Sequence, residues 1–196
     1  QLEFSFTMSL EMNVQVSVQR VQQAQQGVVQ QSDPIMFDLD GDGFELSNYQ
    51  HGAQFDITGK GVTATTAFVN GGDAFLALDR NKDGKITSGS ELFGDQLGAA
   101  NGYEELRKLD SNGDNRIDAQ DAAYADLKLW KDNGDGVSEA NELVSLAQAG
   151  ISEISLNYAN TNQLASGGNR IAQRATFRWA NGMQGVTGDA ILNYVV

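Results

Sequence analysis

Acid and amide side chains at alternate positions are the chemically equipped residues of this chain. Three segments between Asp79 and Glu142 carry them: DRNKDGKITSGSE, DSNGDNRIDAQD and DNGDGVSEANE. Each follows its alternating Asp or Asn residues with one that tolerates positive φ (Gly84, Asn115 or Gly136) and closes on a carboxylate. A hard cation such as Ca2+ takes about six to eight oxygens at ~2.3–2.6 Å, and a tightly turning loop offers them from alternate side chains, one carbonyl and a distal acid. The middle segment is the most regular, with Asp110, Asn112 and Asp114 at loop positions 1, 3 and 5, the Arg116 carbonyl at 7, Asp118 at 9 and Asp121 at 12. In the first, Asp79, Asn81 and Asp83 are followed by the Lys85 carbonyl, but the closing Glu91 stands at 13 instead of 12. In the third, taking Glu142 as position 12 puts Asn133 and Asp135 at 3 and 5, Lys131 at 1, and Asp132 one place late.

An earlier loop, DLDGDG, offers Asp38, Asp40 and Asp42, but its twelfth position is Tyr49, so a closing acid must come from elsewhere, with Glu45 and Asp73 as candidates. Residues 56–61 (DITGKG) resemble a further loop with Lys60 where a ligand would stand, and an ammonium there opposes a cation. Asp, Asn and Gly also build ordinary turns, because they bond their own backbone or accept left-handed conformations. Spaced repetition of one pattern favours calcium over that plain reading.

A second kind of chemistry lies at Asp33-Pro34, which holds the only proline of the chain. A free Asp carboxylate can attack its own carbonyl carbon to give a cyclic anhydride, and the tertiary proline amide is the easier one to expel once twisted and protonated. An ordinary Asp-Pro turn at the end of a linker is the alternative.

The elements that must position these groups follow from composition and periodicity. The chain has 196 residues and a formal charge of −13, and residues 38–142 hold 21 of its 26 acids against 9 of its 13 bases. Such a stretch repels itself unless cations are bound. No basic face exists to neutralise phosphates, which argues against nucleic acid as a partner. Arg170, Arg174 and Arg178 read as a solvated strand face. Absence of cysteine excludes disulfides and thiolate metal sites, a lone loop histidine, His51, gives no support to a catalytic triad, and no apolar run approaches a membrane span.

Apolar residues alternate from Leu2 to Val18, predicting a long half-buried strand that must pair within the chain, with another chain or with the parent protein. Residues 19–32 read as a linker or frayed helix. Helices are expected over 102–109, 119–130 and 139–149, and strands from Ile151 onward with turns at Gly167-Gly168-Asn169 and Asn181-Gly182. Ile86 and Ile117 each follow a turn residue by two, so their backbones are expected to pair as between two calcium loops. The expected fold is α+β: calcium loops between short helices, plus an antiparallel sheet of the C-terminal strands, completed by the N-terminal strand. Its divisions are an N-terminal strand and linker (1–32), a calcium-binding region (33–158) and a C-terminal hairpin region packed on the same domain (159–196).

Taken together, DPIMFDLDGDGFEL, FLALDRNKDGKITSGSELFGD, NGYEELRKLDSNGDNRIDAQDAAYADLKLW and NGDGVSEANEL resemble the EF-hand-like calcium-binding modules of large RTX-type secreted bacterial proteins. Within that group the chain is similar to the self-processing module of iron-regulated RTX proteins, whose processed product begins at the proline of an Asp-Pro bond before a DLDGDG loop. The resemblance covers roughly residues 33–158. It implies a secreted module with calcium ligands at Asp38, Asp40, Asp42, Asp79, Asn81, Asp83, Glu91, Asp110, Asn112, Asp114 and Asp121. It also implies a scissile bond between Asp33 and Pro34, with the anhydride captured by water or a lysine amine. The chain departs from the group at Lys60 and by a missing residue after Trp130. Two other readings compete: a dockerin-like interaction module, although dockerins are much shorter and carry two near-identical repeats, and a two-carboxylate glycosidase, for which no pair of acids stands out.

Overall fold

The longest strand, β12 (Gln184–Val195), is the spine of the molecule. A computed structural model describes residues 28–196, so the expected strand over 2–18 and its pairing lie outside the described residues. One edge of β12 pairs with β11 (Arg170–Trp179), the other with β2 (Ile35–Asp38), both antiparallel. Toward its C-terminal end Tyr194 pairs with both Gln30 of β1 (Gln30–Ser32) and Thr66 of β4 (Ala64–Thr66). Part of the expected linker is therefore a strand. Beyond β2 the sheet continues through β5 (Ala74–Leu78), β7 (Leu127–Trp130) and β8 (Leu143–Ser145). Beyond β11 it continues through β9 (Ile151–Ser155) to β6 (Arg116–Asp118), while β10 (Ala159–Leu164) also pairs with β11 and β3 (Ala53–Phe55) with β4.

This sheet separates two apolar cores. On β2 and β5, Ile35, Phe37, Ala74 and Leu76 enter one core while Met36, Phe75 and Ala77 enter the other. A strand covered on both faces reads as a continuous apolar run, as IMF and AFLAL do. Phe55, Phe68, Phe75 and Trp130 interlock in the first core with ring centroids 5.0–5.4 Å apart. Phe37, Phe177 and Trp179 do the same in the second, at 4.9–5.0 Å.

The α+β expectation is overturned. The described residues are mostly antiparallel β structure curled into a half-barrel, with only two short helices, α1 (Gly102–Arg107) and α2 (Leu146–Ala149). Of the helix expected over 119–130, the last four residues are the strand β7: Leu127 and Leu129 face one core and Trp130 the other, a period of two that a helix cannot provide. Of that expected over 139–149, residues 143–145 are β8 and only the capped turn of α2 remains, with Ser145 and Gln148 forming its capping box. The Ile86–Ile117 pairing also fails. Ile86 is buried in the Trp130 core and donates its N–H to Ser138 Oγ (2.8 Å), whereas Ile117 lies in the opposite core and pairs with Ile154. Two residues on opposite faces of one sheet cannot share a bridge.

Candidate functional site

The Asp33-Pro34 step sits where β1 gives way to β2. Ser32 is opposite Leu192 and Ile35 opposite Asp189, so the register against β12 is unbroken across the step. The Pro34 carbonyl accepts from Ala190 N (3.0 Å), Ile35 N donates to the Phe93 carbonyl (2.9 Å), and Asp33 Oδ1 accepts from Asp95 N (2.7 Å). Gly94 permits this closeness: a Cβ there would stand 2.8 Å from both the Asp33 carbonyl oxygen and its Oδ1. A cleft of about 210 Å³ opens alongside, lined by Ser32, Lys60, Asp95 and Gln96 among others.

Burial, and then the charge of Asp189, push the buried Asp33 carboxyl up from 3.8 to about 8. Asp189 itself has no exposed surface; its Oδ2 accepts from Gly102 N (2.7 Å) and its Oδ1 has no partner. Burial raises it from 3.8 to about 7, with Asp95 adding to the effect. Sequence reasoning passed over Asp189. Its one signal is an acid between Gly188 and the apolar AIL of a strand, a position where an acid is costly unless it has a purpose.

The acidic loops hang from the ends of these strands. Asp38 closes β2, and its carboxylate, with those of Asp40 and Asp42, offers oxygens within 4.8 Å of one another. The charge of Asp40 raises Asp42, as crowded carboxylates must. The turn at 70–73 folds against this loop: Asp73 accepts from Glu45 N (2.7 Å) and Leu39 N (3.4 Å), and Glu45 Oε2 accepts from Gly72 N (3.0 Å). Burial lifts Asp73 to about 7. Both acids proposed to complete the loop therefore lie beside it.

In the Asp79 loop, Asp79 accepts from Asp83 N (3.2 Å) and Gly84 N (2.8 Å), and Asn81 and Asp83 each accept from the N–H two residues on. Glu91 is buried, taking Thr87 N on Oε2 (2.8 Å) and leaving Oε1 without a partner. An orphaned buried carboxylate oxygen fits a cation it could bind. The Asp110 loop repeats the pattern, with Asp110 accepting from Gly113, Asp114 and Asn115, Asn112 from Asp114, and Asp114 from Arg116. Burial opposes the charge of Asp121, but donation from the Asp118 and Ser111 N–H groups outweighs it and holds that carboxyl below its ordinary range. The Arg116 side chain reaches Asp114 (3.2 Å) and Glu153 (3.4 Å).

In the fourth loop Asp132, not Lys131, takes the opening place, accepting from Gly134 N (2.6 Å) and Gly136 N (3.1 Å) as Asp79 and Asp110 do in theirs. Glu142 accepts from Asn133 N (3.0 Å), and Asp135 from Val137 N (2.8 Å). The loop is shorter than its relatives. At 56–61, Asp56 accepts from Lys60 N, Gly61 N and Thr58 Oγ1, a self-contained turn.

Residues 35–193 match the SPM domain family, from the residue that follows Pro34 to near the end of β12. The chain belongs to that family. Iron-regulated protein FrpA of Neisseria meningitidis serogroup C is 41% identical over 169 residues, 82% of this chain and 15% of the relative. This SPM domain therefore spans a small part of that relative's length. Both matches support the relationship to iron-regulated proteins that the motifs implied.

Proposed function

We propose that this SPM domain is a calcium-binding module of a secreted RTX-type bacterial protein that cuts its own chain once, between Asp33 and Pro34. The observation that carries the reading is the setting of that one peptide bond: it is fixed on both sides by β-register, with a buried carboxyl held against a close-approaching glycine turn. Fixing a nucleophile beside its target replaces an improbable encounter with a standing arrangement, which is worth several powers of ten in rate.

In the reaction, Asp33 Oδ attacks the Asp33 carbonyl carbon, the C–N bond to Pro34 breaks, and the proline nitrogen leaves with a proton. A five-membered anhydride remains, and water entering by the adjacent cleft opens it to two carboxyl groups. Calcium would be held by Asp38, Asp40 and Asp42 with Asp73 and Glu45 beside them, and by the Asp79, Asp110 and Asp132 loops; bound, it supplies charge neutralisation. This chain's own residues do the positioning. The Asp38 loop begins three residues after Ile35, so ordering it stiffens β2 and with it the peptide upstream. A secreted module meets abundant calcium only after export, so cleavage would wait until then.

Incubation with calcium or with chelator, read on a denaturing gel, tests the proposal. Two fragments are expected with calcium and one intact band with chelator, and Asp33→Asn should stay intact in both. Fragments formed equally in chelator would contradict calcium dependence, and an intact wild-type chain in calcium would leave a binding module that does not cut.

A further inference from the structure

We propose that Asp189 is the proton donor for scission of the Asp33–Pro34 bond, acting with the Asp33 nucleophile as a pair of buried carboxyls. This rests on the self-cleavage reading above. The pair is created by the register: with Ser32 opposite Leu192 and Ile35 opposite Asp189, Asp33 falls diagonally across from Asp189. Alternate residues of a strand share a face, and directly opposite residues share it too, so both side chains belong to the face of Ile35. Diagonal neighbours are close enough to interact, and the Asp189 charge accordingly acts on Asp33. Pro34, whose nitrogen is the leaving group, stands between Asp33 and the residue opposite Asp189, and its carbonyl accepts from the N–H of Ala190, the residue after Asp189.

The two carboxyls are unequally supported. Each accepts one N–H, Asp33 from Asp95 and Asp189 Oδ2 from Gly102, but Asp189 Oδ1 is buried with no donor at all. An unpaired buried carboxylate oxygen is costly, and a proton on it removes the cost. Asp95 adds a third negative charge, and Tyr103, bonded to Thr187 Oγ1, faces Asp189 from α1. Among the described residues no cationic side chain forms an ion pair with Asp33, Asp95 or Asp189. Both carboxyls are raised, Asp33 to about 8 and Asp189 to about 7, so the pair holds a single proton near neutrality; it rests more on Asp33, and the reactive arrangement is the minor one, with the proton on Asp189 and Asp33 ionised. With the proton on Asp189, the bonds balance. Asp33 Oδ forms the new C–O bond, the C–N bond breaks, and the Asp189 proton goes to the Pro34 nitrogen. Asp189 is left ionised and regains a proton when water opens the anhydride.

The test is the rate of fragment formation in calcium from about pH 5 to about pH 9, in the wild type and in Asp189→Asn, whose amide oxygen can still accept from Gly102 N. A nucleophile that must be ionised and an acid that must be protonated give a bell-shaped profile near neutrality. Asp189→Asn should lower the maximum about 100-fold and abolish the alkaline limb. An unchanged rate would overturn the assignment, and so would a slower variant that keeps the bell, because a structural role scales every pH alike. A wild-type rate that climbs to an alkaline plateau would overturn it even if the variant fails to fold. A wild-type chain that is never cut removes the self-cleavage reading and this inference with it, an outcome distinct from the other three.

Discussion

At the scale of single residues, buried acids set the behaviour of this protein. A carboxyl whose value is raised in the folded state makes no demand on stability below its unfolded 3.8, costs progressively more as pH rises, and reaches its full cost above the folded value. For Asp189 that window runs from 3.8 to about 7. In the uncut Asp33→Asn background, adding Asp189→Asn should therefore raise the melting temperature by about 2–6 °C at pH ~8, and the gain should vanish near pH ~4. A gain that persists in acid would place the stabilisation elsewhere. The alternating Asp and Asn residues of the loops were legible in the sequence because their hydrogen bonds close within five residues. Asp189 was not, because its significance depends on Asp33, brought diagonally across from it only by the pairing of β12 with β1 and β2.

At the scale of elements, the helix expected from residue 102 leads into the Asp110 loop, but the Asp132 loop is held by the strands β7 and β8 where helices were expected. Short apolar runs such as LKLW satisfy a helical and a strand period alike, and what decides is burial on both faces, visible only once β5 and β8 flank β7. The same fact explains why Ile86 turns to Ser138 and not to Ile117. The opening place of Asp132 was obscured by counting back from Glu142 in a loop that is one residue short. Packing of one turn on another also makes a prediction. A Cβ on Gly72 would stand 2.2 Å from Asp40 Oδ2, so Gly72→Ala should push that carboxylate out and weaken calcium binding at the Asp38 loop about 10-fold in calorimetric titration, leaving the Asp110 loop unaffected. Unchanged binding at every loop would show that Asp40 is no ligand.

At the scale of the whole molecule, β12 joins the acidic loops to the Asp33-Pro34 step: its register holds β2, which carries Asp38 at one end and adjoins Pro34 at the other. The acidic excess over residues 38–142, and a charge of −13 overall, oppose folding without cations. Calcium, once bound, would thus order the sheet and the peptide bond together, and on the proposed function cleavage would report folding. The most direct measurement is mass spectrometry of the wild-type chain after incubation in millimolar calcium at neutral pH. The account predicts two products, one ending at Asp33 and one beginning at Pro34, that do not form in chelator. An intact chain, or cleavage at any other bond, would contradict it.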